Sequence, residues 1–134
     1  MARGYPDFEG NKSKMWSSLD WAAREGVDTN LSGVSGAVAA NVIVQIVTYV
    51  VPAGFTLLVA YIGAEVIGQV GNLIIRLGDI TTGVMLLRTG GVQGTHVVLN
   101  KIVPIPPGHT VDLLGVHFGA ALGQLGGHIG GYLI

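Results

Sequence analysis

Side chains able to do chemistry are few in this chain, and their spacing decides what they can do. The four histidines are His96, His109, His117 and His128. None forms an H-x-H or H-x-x-x-H pair, the spacings that bring two imidazoles to one face of a strand or helix, and only Asp112 among the acids lies close to them. His109, Asp112 and His117 are the one set that folding would have to gather, so the expectation is sheet-face and loop histidines with no metal site and no bound cofactor. Paired carboxylates for acid–base hydrolysis need two positioned acids, and beyond residue 30 the acids are Glu65, Asp79 and Asp112. There is no G-x-S-x-G elbow and no P-loop. Gly90-Gly91-Val92-Gln93-Gly94 is glycine-rich but joins strand-like runs, with no helix N-terminus to receive a phosphate. The reading is a non-enzyme with no catalytic residue.

The elements that would hold these residues are β-type. The surest strand is Val42 to Val51, almost wholly β-branched or aromatic. It ends in Pro52-Ala53-Gly54, after which Thr56 leads a new apolar run; Pro106-Pro107-Gly108 and Thr110 repeat that sequence of events. Proline ends the ladder of the incoming strand and glycine takes the positive φ of a tight turn. Pro52, Gly54, Pro106 and Gly108 are therefore read as equivalent corners of a two-sheet structure. Further strands are expected over 55–62, 72–77, 84–88, 96–103, 111–118 and 127–134. Residues 63–71 read as a looser stretch, and Thr89 to Thr95 as an open loop with ligand-binding potential. Seven or so short strands with corner turns predict an all-β fold, a jelly-roll or Greek-key β-sandwich, with an up-and-down barrel as its rival.

Residues 1–30 differ in kind. They hold nine of the fifteen charged residues and both tryptophans. Ser17 to Gly26 reads as one short helix, with Ser17 or Ser18 as N-cap and Gly26 as its stop. So short a helix needs a packing surface. We therefore divide the chain into an arm and linker, 1–40, and a β-sandwich domain, 41–134. Tyr5, Phe8, Trp16, Leu19 and Trp21 are the arm residues expected to contact a neighbouring subunit or partner; the competing reading is a strap over the chain's own core.

Composition narrows the function. Net charge of −1 leaves no electrostatic footprint for nucleic acid, and the absence of cysteine excludes disulfides and thiolate chemistry. The opening residues lack the apolar core of a secretory signal. Thr29 to Ala64 carries no charge, which raises a membrane reading, but Pro52-Ala53-Gly54 cuts that run and Asn41, Gln45 and Thr48 interrupt it. Beyond the arm six charged residues serve more than a hundred positions, too few to solvate a monomer's surface. Apolar surface of that extent marks interfaces, so a closed homo-oligomer is expected.

The Val-Pro-Ala-Gly corner, the later Ile-Pro-Pro-Gly-His-Thr-Val-Asp, and the arm's Asp7-Phe8-Glu9-Gly10-Asn11-Lys12 together resemble small structural proteins of tailed bacteriophages. These are jelly-roll proteins that decorate capsids or sit on tails and fibres. The resemblance covers the corners and the arm, about a third of the chain. It implies a virion component, a homotrimer bound to the major capsid or another virion protein, and it transfers no catalytic residue. The chain departs from a host-binding fibre tip in having few aromatics in its loops. A receptor- or glycan-binding fibre module using Thr89 to Thr95 is the alternative, followed by a small membrane protein.

Overall fold

The computed structural model describes residues 26–134. Tyr5, Phe8, Trp16, Leu19, Trp21 and the expected helix, apart from Gly26, lie outside the described residues. The rest is two antiparallel four-stranded sheets packed face to face. The strands in chain order are β1 (Val27–Val34), β2 (Val44–Val50), β3 (Leu57–Ile67), β4 (Asn72–Asp79), β5 (Val84–Val92), β6 (Gly94–Ile105), β7 (Thr110–His117) and β8 (Gln124–Leu133). One sheet has the order β1-β8-β3-β6 and the other β2-β7-β4-β5. Only the β4–β5 hairpin stays within a sheet; every other connection crosses between them.

Alternation along each strand sends one set of side chains inward. Ile46, Leu57, Ile62, Leu73, Ile75, Leu77, Leu113, Leu125 and Ile129 meet there as an aliphatic layer. The core is thin where glycine faces it: a Cβ on Gly115 would stand 2.8 Å from Ile46 Cδ1 and 3.0 Å from Leu125 Cδ1. Gly115 has no room for a larger residue without displacing the layer.

Four sequence expectations change. Residues 29–40, expected to be a link, contain most of β1, which pairs with β8 over eight residues from Val27↔Leu133 to Val34↔Gly126. Val-Asp-Thr-Asn-Leu-Ser-Gly-Val has little intrinsic β preference, and it is the partner strand that holds it extended. Residues 63–67 continue β3 rather than loosening, because β8 pairs with them through Ile67 and β6 through Glu65. The last strand begins at Gln124, not 127.

The fourth change is the largest. Thr89 to Thr95 is not an open loop: β5 runs through Val92, β6 starts at Gly94, and Gln93 alone turns the chain at φ 66°. Its backbone NH donates to Gly71 O at 3.0 Å, and its side-chain amide donates to Val66 O and Gln69 O, both at 2.8 Å. The glycines there answer crowding, not mobility. A Cβ on Gly91 would overlap the carbonyl of Gly94, and one on Gly90 would sit 2.7 Å from Leu73 O. No helix among the described residues is long and apolar enough to cross a membrane; much of the uncharged run from Thr29 to Ala64 lies in β1, β2 and β3.

Candidate functional site

Three places in the sandwich gather functional groups: one end, the outer face of the β2-β7-β4-β5 sheet, and the outer face of the β1-β8-β3-β6 sheet.

The end is built by the two Pro-X-Gly corners. Gly54 has φ 83° and Gly108 has φ 79°, and the NH of Phe55 donates to Pro52 O as that of His109 does to Pro106 O, each at 3.2 Å. Both are turns of type II, with glycine at the position that requires positive φ. They lie side by side: Val51 NH donates to His109 O and Gly108 NH to Val51 O, both at 2.9 Å. The β4–β5 hairpin joins them. Asp79 Oδ2 is 2.8 Å from His109 Nδ1, Asp79 Oδ1 accepts from Thr81 NH at 3.0 Å, and Thr110 NH donates to Thr81 Oγ1 at 2.9 Å. Burial opposes the charged form of Asp79, but the hydrogen bond and charge of His109 and the backbone NH groups of Thr82 and Thr81 outweigh it and hold the carboxyl below its ordinary pKa. These contacts tie three connections into one rigid end.

The His109–Asp112–His117 set, which only folding could have gathered, does not form. His109 precedes β7 and His117 closes it, which separates them by roughly 25 Å at the rise of a strand. His117 is fully buried, its Nε2 2.8 Å from Val38 O and its Nδ1 accepting from Gly119 NH at 3.2 Å, and it serves to close the far end.

On the outer face of β2-β7-β4-β5, half-buried Ile74, Leu114 and Val116 stand beside exposed Ile43 and Met85. They line a shallow cavity of about 230 Å3 together with Arg76 and Arg88. Those two arginines are directly opposite across β4 and β5, an arrangement that repels. Among the described residues neither has a carboxylate within ion-pair distance. Asp112 interacts with the charge of Arg76, and burial pushes its carboxyl above the ordinary range although Arg76 and a hydrogen bond from Gln45 pull the other way. Beyond the cavity the strip continues through Val92, 74% exposed, to Phe118, 46% exposed.

The opposite outer face carries a histidine pair, which sequence spacing did not reveal. His96 on β6 and His128 on β8 are both register partners of Gly63 on β3. Glycine leaves the space between them empty, and His96 Nδ1 comes within 3.2 Å of His128 Nε2. Tyr61, two residues along β3, sets its ring centroid 5.6 Å from that of His96 and 5.7 Å from that of His128. Burial, then the charge of His96, lowers the pKa of His128. Chemically the cluster can share a proton or offer two nitrogen donors.

Comparison with models of known protein families and with curated proteins found no match.

Proposed function

We propose that the protein is a non-enzymatic structural subunit of a bacteriophage virion, an eight-stranded jelly roll that assembles as a homotrimer and decorates or stabilises the capsid. The arm contacts neighbouring subunits, and the major capsid protein or another virion protein is the partner. The observation that carries this reading is the outer face of the β2-β7-β4-β5 sheet. It is apolar from Phe118 to Met85 and bears the Arg76–Arg88 pair at its centre. A face of that kind is costly in water and is relieved when an apolar segment with a carboxylate lies on it. The arm has that composition, with Asp7-Phe8-Glu9 and Leu19-Asp20-Trp21.

The strand orders support the jelly-roll reading, since two four-stranded sheets with every connection but one crossing between them suit a rolled pair of Greek keys.

Light scattering of the full-length protein behind a sizing column, without detergent, tests the proposal. A discrete trimer is expected, and reversing both arginines, Arg76→Glu with Arg88→Glu, lowers the mass while the sandwich still folds. A full-length protein that stays monomeric at all concentrations overturns it.

A further inference from the structure

The histidine cluster on the opposite face is not used by that assembly surface, and its geometry has a use of its own. Alternation places Ile62, Ala64 and Ile129 in the core, so Gly63 and His128 face outward with His96. The three form one row across β6, β3 and β8. With no side chain on the middle strand, the outer imidazoles lean over it until their ring nitrogens are 3.2 Å apart. Two nitrogens bound at about 2.0–2.1 Å to one tetrahedral or square-planar ion stand roughly 2.9–3.4 Å from each other. The pair is therefore already at ligating separation.

We propose that His96 and His128 form a two-histidine site for a divalent transition-metal ion of the borderline class, Cu2+, Ni2+ or Zn2+, bound through His96 Nδ1 and His128 Nε2. Each neutral imidazole has one lone pair to give, so ligation places the ring protons on His96 Nε2 and His128 Nδ1. Tyr61 packs against both rings and limits their rotation. Its own ring lies over Gly130, where a Cβ would overlap it. Next to the pair is a depression of about 270 Å3 lined by Ala64, Glu65, Thr95, Gly126 and His128. It leaves the remaining coordination positions open to water, with an exposed carboxylate on the same wall. Imidazole donors select Cu2+ over Ni2+ and Zn2+ in the usual order of affinity.

Gly63 is the residue that makes the site. An added Cβ there would stand 2.5 Å from His128 Cε1 and 3.1 Å from His96 Nδ1, against movable side-chain ends, so Gly63→Ala displaces the rings and leaves the sandwich folded.

The experiment is a titration of the full-length protein with each metal ion alone, followed by calorimetry and by the thermal midpoint. Binding of one ion per chain and a rising midpoint are expected, because a ligand that binds only the folded state stabilises it. His96→Ala and His128→Ala should each abolish the shift. Gly63→Ala, which keeps both histidines, should weaken binding on the order of tenfold, as loss of ligand orientation does. His109→Ala, at the corner end, lowers the midpoint of the metal-free protein by removing the link to Asp79 but should leave the metal-induced shift unchanged. Absence of a shift with millimolar Cu2+, an unchanged shift in the His96→Ala/His128→Ala double variant, or loss of the shift in His109→Ala overturns the proposal. None of these outcomes bears on the mass of the assembly.

Discussion

The two outer faces of the sandwich obey the same alternation rule and end in opposite chemistry. On β2-β7-β4-β5 the outward positions are Ile74, Leu114, Val116 and Met85 around two arginines. On β1-β8-β3-β6 they are Gly63, Gly126 and Gly130 with Tyr61, His96 and His128. The first face is bulky and apolar among the described residues. The second is bare backbone between polar rings, where close approach of side chains replaces apolar cover. The difference teaches that one alternation rule can build a bulky apolar face and a face of bare backbone and polar rings, the first proposed above for assembly and the second for a small ligand.

The most severe way to break the comparison is to strike both faces from within. Leu113 is fully buried between the sheets, so Leu113→Ala should cost about 2–5 kcal/mol in denaturant unfolding and erase both sites together. Its neighbour Leu114 points the other way. Leu114→Glu should leave the unfolding free energy within about 1 kcal/mol of the parent and instead lower the mass seen by light scattering. If both substitutions unfolded the protein equally, the division into core and assembly face would fail.

The acids at the corner end sharpen the contrast further. Asp79→Asn should cost on the order of 1 kcal/mol, because it weakens the link of buried Asp79 to half-buried His109 and to the hairpin NH groups. Asp79 has a depressed pKa, so its contribution is full above the ordinary carboxylate value near 3.9 and is lost as pH falls through the lower, folded value. Urea midpoints between pH 2 and 5 should show that slope in the parent and not in Asp79→Asn. Asp112 has the opposite sign. Its pKa is raised, chiefly by burial, so the folded state is penalised as pH rises through that value. Asp112→Asn is therefore the smallest expected effect, neutral or stabilising by about 0.5 kcal/mol at neutral pH, and a clear loss of stability there would show that Asp112 holds Arg76 in place.

Local signals were legible wherever one or two residues decide the backbone. Pro52-Ala53-Gly54 and Pro106-Pro107-Gly108 announce turns because proline and glycine restrict or free φ by their own covalent structure. β2 was equally plain from its β-branched run. Where the deciding atoms came from another strand, reading failed. β1 has weak propensity and exists because β8 lies beside it. Gly90 and Gly91 looked like loop residues because glycine marks both mobility and crowding, and only the neighbouring carbonyls of Leu73 and Gly94 distinguish the two. Residues 1–25, where the expected interface residues lie, are outside the described residues.

By itself the sequence determined an all-β chain with two equivalent corners, too few charges to cover its surface, and no local motif for catalysis. Those properties belong to single residues or short runs. Only the tertiary structure decided which strands became neighbours, and with them that His109 meets Asp79 and that His96 meets His128 across Gly63. The physical reason is register. The two histidines are 32 residues apart along the chain, and their meeting depends on hydrogen-bonded ladders that align β6 and β8 on the same residue of β3.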